Sequence, residues 1–200
     1  MKKLILIFAL FVACFNTQAQ KKSTPAKTTK SSKTLSENKD FGLEANYDQQ
    51  TLLVYYTNED KKDTLFIAQT EAAVIPEKFE FKPFKVNDKD LLLITWIEKV
   101  ENKKDGFIET TYITQHQIWD LVAPRQLASN THKSYASKDI KAIAKIKDAT
   151  KTSDSRSSEG FVFELLPNGD YSLATPAKTS IFSYNEKWNR YRYNPNGQNE

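Results

Sequence analysis

Two segments rich in β-branched and aromatic residues, "DLLLITWIEKV" (90–100) and "FIETTYITQHQIWDL" (107–121), stand on either side of the six residues "ENKKDG". Such runs, separated by a charged turn, predict an antiparallel hairpin. Asp105-Gly106 supplies a turn end, because glycine takes positive φ without strain. A hairpin of this length is expected to be the spine of a sheet. Strands placed symmetrically about the loop would set Val100 opposite Phe107, Trp96 opposite Thr111 and Glu98 opposite Glu109.

The rest of the chain after Phe41 has the same texture. "TLLVYYT" (51–57) and "TLFIAQT" (64–70) flank the turn "NEDKKD" and predict a second hairpin. "KFEFKPFKV" (78–86) alternates as a strand does, and Pro83 confines it to a sheet edge or a bulge. "GFVFELL" (160–166) and "YSLAT" (171–175) enclose "PNGD", whose Asn-Gly pair is a strong hairpin signal. "SIFSYNEKWNRYRY" (180–193) predicts a closing strand pair around Asn185, Glu186 and Lys187. "KDIKAIAKIKDA" (138–149) fits either a helix, through Ile140, Ile143 and Ile146, or a strand, through Ile140, Ala142, Ala144 and Ile146. "TKTSDSRSSE" (150–159) reads as a polar mobile loop. Nine or ten short strands and at most one or two short helices are thus expected. The fold class is mainly β, a single antiparallel β domain built as a sandwich, barrel or meander over residues 40–194.

The N-terminal end is different. Met1-Lys2-Lys3 precedes the apolar run "LILIFALFVACF", which is too short to span a bilayer and ends in polar "NTQAQKK". Residues 1–19 therefore read as a secretory signal. Thr17 and Ala19 fit the small-residue requirement of signal peptidase and would release a chain beginning at Gln20. Cleavage before Cys14, with lipid attached to its thiol, is the alternative, although Phe11 is bulkier than the leucine usual at that position. The Ala19-Gln20 junction resembles that of exported proteins of Bacteroidetes-type bacteria, a resemblance that covers the signal region alone. Cys14 is the one cysteine. A chain cut after Ala19 would carry none and would depend on core burial without disulfides.

Residues 20–39 open with "QKKSTPAKTTKSSKTLSEN", a composition that cannot offset the entropy of ordering, and are expected to form a disordered basic linker. The formal charge of +4 is concentrated here and in the signal. Without Lys2, Lys3, Lys21, Lys22, Lys27, Lys30 and Lys33 the chain holds 22 basic residues against 25 acidic ones, a net charge of −3. A mildly acidic domain gives no electrostatic footprint for nucleic acid. The linker itself suits weak, salt-sensitive contact with an anionic membrane or wall polymer. Residues 195–200 are expected to fray.

The residue inventory disfavours several chemistries. The two histidines, His116 and His132, belong to no zinc motif, so no metal or other cofactor is expected. Five scattered glycines form no phosphate loop, and no nucleophile elbow occurs. His116 and Asp120 share a strand face but lie about 13 Å apart by strand rise, too far for a dyad. His116 is expected to be half-buried beside Tyr112 and Ile118. Glu98 and Glu109, if opposed, are the best available carboxylate pair for glycoside hydrolysis. No catalytic residue is assigned.

"YNEKWNRYRY" (184–193) is the most suggestive stretch, with Trp188, Arg190, Tyr191 and Tyr193 as candidate binding residues. Exposed aromatics of this kind stack on sugar rings or anchor a protein interface. The expectation is a non-enzymatic exported envelope module, periplasmic or secreted, or lipid-anchored through Cys14. Its partner would be an envelope protein or a glycan. A secreted hydrolase of carbohydrate or wall polymer, using paired carboxylates, is the alternative.

Overall fold

The computed structural model describes residues 32–58, 61–70, 74–142 and 150–195, which form thirteen strands and two 3-10 turns. The first sheet holds β1 (Lys33–Asn38), β2 (Leu43–Asp48), β3 (Thr51–Asn58) and β4 (Lys61–Gln69). The second holds β5 (Glu77–Val86), β6 (Lys89–Lys104), β7 (Phe107–Asp120), β8 (Arg125–Ala142) and β9 (Thr150–Gly160). The third holds β10 (Val162–Leu165), β11 (Tyr171–Ala174), β12 (Thr179–Asn185) and β13 (Arg190–Asn194). Neighbours in sequence pair antiparallel throughout, so each sheet is an open meander among the described residues. The mainly β, antiparallel class is as expected, with more strands than the nine or ten counted from sequence.

The second sheet is the middle layer, and β6 explains why. Side chains alternate across a strand, so Leu92, Ile94 and Trp96 point to one face and Leu91 and Leu93 to the other. The first set packs with Leu43, Leu52, Val54, Tyr56, Leu65 and Ile67 of the first sheet. The second packs with Ile118 of β7, Val86 of β5, and Tyr171 and Tyr191 of the third sheet. The unbroken "LLLI" run is thus a strand buried on both faces. Each fully buried side chain of this size contributes about 1.5–3 kcal/mol of transfer free energy.

This double cover stops partway along the sheet. Residues 101–106 are exposed, and all eleven residues of β9 are exposed. The far halves of β6, β7 and β8, together with β9, therefore project as a wing with solvent on both faces. Its side chains answer that setting: Thr110, Thr111, Ser134, Ser137, Ser155 and Ser157 are small and polar, and the apolar Phe107, Ile108 and Ile140 are only half-buried.

Several expectations are corrected here. The β6–β7 hairpin is longer and differently registered than symmetry about "ENKKDG" implied. Asp105-Gly106 alone makes the turn, with Gly106 at φ 71°, and Lys104 pairs with Phe107. Val100 then faces Thr111, Trp96 faces Gln115, Glu98 faces Ile113, and Glu109 faces Asn102. Two-residue turns match strand twist better than long ones, so "ENKK" is absorbed into the strand. The expected loop 150–159 is β9, drawn into the sheet by an unbroken ladder with β8 from His132↔Gly160 to Ala142↔Thr150. A strand with solvent on both faces needs no apolar residues.

The linker expected over 20–39 ends sooner. From Lys33 the chain is already β1, pinned by Thr34 Oγ1 donating to Asn46 Oδ1 (2.9 Å) and by Leu35 packing on the core. Of the ambiguous segment 138–149, the part up to Ala142 is strand and 143–149 lie outside the described residues. The signal, Cys14, the linker up to residue 31 and the tail 196–200 also lie outside them. Pro83 does sit on β5, an edge strand with a bulge, and the "PNGD" hairpin and the closing strand pair form as read.

Candidate functional site

The tight turn between β10 and β11 sets the site. Leu166 N–H donates to Asp170 O (2.8 Å) and Gly169 N–H to Leu166 O (3.0 Å), with Gly169 at φ 85°. A Cβ on Gly169 would lie 2.7 Å from Val86 Cβ, so glycine is required both by the turn and by the close approach of the β5–β6 turn. This packing places Asp170, only 4% exposed, at the root of a groove. Its Oδ2 accepts from Ser183 Oγ (2.8 Å) and Asn168 Nδ2 (3.0 Å), and Ser183 Oγ in turn accepts from Asn194 Nδ2 (3.0 Å). The groove encloses about 350 Å³, and Asn87, Asp170, Ser183, Arg192, Tyr193 and Asn194 supply most of its polar wall.

A second polar cluster lies next to it, on the other side of Tyr184. Asp120, at the end of β7, is 0% exposed and pairs with Lys89 Nζ at 2.6 Å. Its other oxygen accepts the backbone N–H groups of Val122 (3.1 Å) and Ala123 (3.2 Å). Burial pushes its pKa up, but hydrogen bonds from Lys89, Ala123 and Asn189 outweigh burial and hold it below the ordinary carboxylate value. Burial works to lower the pKa of Lys89, but Asp120, with a smaller contribution from Tyr184, raises it. Asn189, in the left-handed conformation at φ 46°, caps the 3-10 turn Glu186–Trp188. Its Oδ1 accepts from Lys89 Nζ (2.8 Å) and from Tyr184 Oη, and its carbonyl accepts from Arg125 Nη2. One residue thus ties the Trp188 turn to β6, β7 and β8.

The four candidate residues read from sequence do not stay together. Trp188 is 53% exposed, with Arg190 Cζ 5.6 Å and Lys187 Nζ 5.7 Å from its ring centroid, so Trp188 and Arg190 form one cation–π unit. Tyr193, 51% exposed, stands on the groove with Lys178 Nζ 5.6 Å from its ring. Tyr191 belongs to the core: its Oη donates to Gly169 O (2.8 Å), its ring packs on Tyr171 and Tyr184, and burial raises its pKa. Sequence reading missed Asp170, Ser183 and the Asp120–Lys89–Asn189 node. The only local hint was Asp170 in a favoured turn position, since the partners lie on other strands.

Other titratable groups are accounted for by structure. His116 stacks on Phe163 (4.6 Å) with Nδ1 3.1 Å from Thr95 Oγ1, and burial, helped by His132, lowers its pKa to about 4. Half-buried on the face of Ile118, it occupies the structural place expected for it. Glu98 accepts from Trp96 Nε1 (2.9 Å). The observed register puts Glu98 and Glu109 four residues out of step, about 13 Å along the strands. No group of three or more His, Cys, Asp or Glu converges among the described residues. No helix there is long and apolar enough to cross a membrane. The chain matches no protein-family model, no curated protein and no solved structure.

Proposed function

We propose that this chain is an exported, non-enzymatic binding module that presents the groove at Asp170, Ser183, Arg192 and Tyr193 to an envelope partner, a glycan or a protein. The observation that carries the reading is the prearranged polar wall beside an exposed ring. Asp170, Ser183 and Asn194 are oriented by one another before any ligand arrives, which lowers the ordering cost of binding. Carboxylate, hydroxyl, amide and guanidinium groups next to a tyrosine face suit the alternating hydroxyls and apolar faces of a sugar, so a glycan fits this wall best. Export through the residue 1–19 signal, with cleavage after Ala19 or lipidation at Cys14, places such a module where envelope glycans are met. The basic linker would add weak attraction to anionic polymer.

The hydrolase alternative has less support. Hydrolysis by paired carboxylates needs two of them within about 10 Å across the scissile bond. Asp170 is the one acidic residue in the groove wall among the described residues. Glu98 and Glu109 are out of register, and Glu101 is held between Lys99 (2.7 Å) and Lys103 (2.9 Å), which push its pKa down to about 2, opposite to what a general acid requires.

Calorimetric titration with soluble cell-wall glycan fragments tests the proposal. Arg192→Ala and Tyr193→Ala should each weaken binding tenfold or more while leaving the circular dichroism spectrum and unfolding midpoint unchanged. Equal binding by wild type and both variants would sink it. Intact mass from membrane and soluble fractions tests the export part, by reporting a chain starting at Gln20 or a lipidated Cys14.

A further inference from the structure

The outer edge of β9 carries information that the groove does not. β9 pairs with β8 on one side and, among the described residues, with nothing on the other. It is long, free of proline, and keeps one register with β8 without a bulge. Natural edges usually blunt this kind of template with short length, proline, a bulge or charged side chains. This edge has none of the first three, and its charges are placed in a particular order: Lys151, Asp154, Arg156 and Glu159. None of the four is in an ion pair among the described residues, although Glu159 accepts a hydrogen bond from Tyr135 Oη (2.8 Å) of β8.

The geometry points to a second copy of this chain as the occupant of the edge, paired antiparallel to it about a two-fold axis at Ser155. A two-fold axis between antiparallel strands stands perpendicular to the sheet and preserves its faces, so only registers that oppose residues of the same face are allowed. With Ser155 on the axis, Lys151 faces Glu159 of the partner subunit, and Asp154 faces Arg156 of the partner subunit. Symmetry repeats both pairs, and every charge on the strand meets its opposite. Ser153 faces Ser157 of the partner subunit, and Thr152 faces Ser158 of the partner subunit, small polar pairs that a ladder accepts. Moving the axis to Asp154 or Arg156 puts like charges on the axis and breaks both complementary pairs. The charges therefore select one register.

The wing's other open edge is different. β5 pairs with β6 only as far as Ile97, leaving Glu98–Lys104 open on that side among the described residues, but Glu101 there is already engaged by Lys99 and Lys103 of its own strand. Pairing through β9 would join two five-stranded sheets into one of about ten strands, with the two packed ends and their grooves at opposite extremes. Such pairing does not depend on what the groove binds.

Two experiments on the full chain test it. Sedimentation equilibrium should show a dimer of the 23.0 kDa chain whose dissociation constant rises at least tenfold in Asp154→Arg and returns toward wild type in the double variant Asp154→Arg/Arg156→Asp. Cysteine cross-linking in a Cys14→Ser background fixes the register. Opposed residues of antiparallel strands have Cα atoms about 4.5–5.5 Å apart, within disulfide range. Ser155→Cys should therefore oxidise to a covalent dimer, whereas Ser153→Cys, whose two copies would stand four residues out of step, should not. A wild type that stays monomeric up to the highest soluble concentration, a dimer indifferent to Asp154→Arg, or equal cross-linking at both serines would each overturn the proposal.

Discussion

Replacing Lys89 by methionine removes the ammonium from Asp120 and keeps most of the aliphatic stem. The carboxylate left behind is 0% exposed, and Lys89 Nζ at 2.6 Å is its only cationic partner among the described residues. Stripping one partner from a buried ion pair costs about 3–5 kcal/mol. Two features reduce that here: Lys89 is 27% exposed, and the backbone N–H groups of Val122 and Ala123 stay in place. The expected loss is about 2–3 kcal/mol at pH 7, read from urea unfolding with an unchanged m-value. The pH dependence is the sharper test. In the wild type the Asp120 pKa is lowered, so its stabilising contribution is full above the unfolded value of about 3.9 and is lost as pH falls through the folded one. Without Lys89, burial is no longer outweighed, the folded pKa rises above 3.9, and acid relieves the variant. The gap between wild type and variant must close between pH 7 and pH 3. A gap under ~1 kcal/mol at pH 7, or one that does not shrink in acid, would refute the assignment of Asp120 as a buried, pair-dependent carboxylate.

His116, with its pKa lowered to about 4 by burial, takes up its proton more readily when unfolded, so stability should fall by about 2 kcal/mol as pH drops from 6.5 to 4. His116→Gln should flatten that window, and an NMR titration of the wild-type imidazole near 6.5 instead would contradict the burial. Tyr191→Phe should cost about 1 kcal/mol and Tyr191→Ala about 3–5 kcal/mol, whereas Trp188→Ala should cost under ~1 kcal/mol; thermal unfolding of the three separates core from surface. Gly169→Ala should cost about 2 kcal/mol or more by chemical unfolding, because its φ of 85° and the 2.7 Å approach to Val86 Cβ leave no unstrained place for a methyl group.

What could be read from sequence was what local chemistry decides. Asn168-Gly169 announced the β10–β11 turn, Pro83 an edge strand, and the 180–193 stretch a closing hairpin around Asn185. Register across β6 and β7 was not legible, because four polar residues, Glu101 to Lys104, look alike in a loop and in an uncovered strand. β9 and most of β8 were lost for the same reason: periodicity betrays a strand only when one face is buried. The candidate site suffered from depth rather than direction. Alternation rightly put Tyr191 and Tyr193 on one face, yet the core ends between them, leaving the first 9% and the second 51% exposed. Nothing in the sequence marks where a covering layer stops. The pairing of Asp120 was not legible because its partners come from strands far along the chain, as with Lys89 and Asn189, a hundred residues apart, and that of Asp170 because it depends on how β12 folds back over the turn.

The division of the second sheet into a packed end and a bare wing separates two kinds of selection on one set of strands. At the packed end both faces are buried, so β6 must be Leu-Leu-Leu-Ile, and substitutions there carry cavity costs of several kcal/mol. In the wing no face is buried, and surface substitutions away from special features change stability by less than about 0.5 kcal/mol. Composition there is free to answer something other than folding. Random solvation of β9 would accept any polar order. The order found, with Lys151 and Glu159 equidistant from Ser155 and Asp154 and Arg156 flanking it, is one that antiparallel self-pairing would satisfy. Charge variants of β9 can therefore be compared at equal stability, so a change in association would report the edge and not the fold.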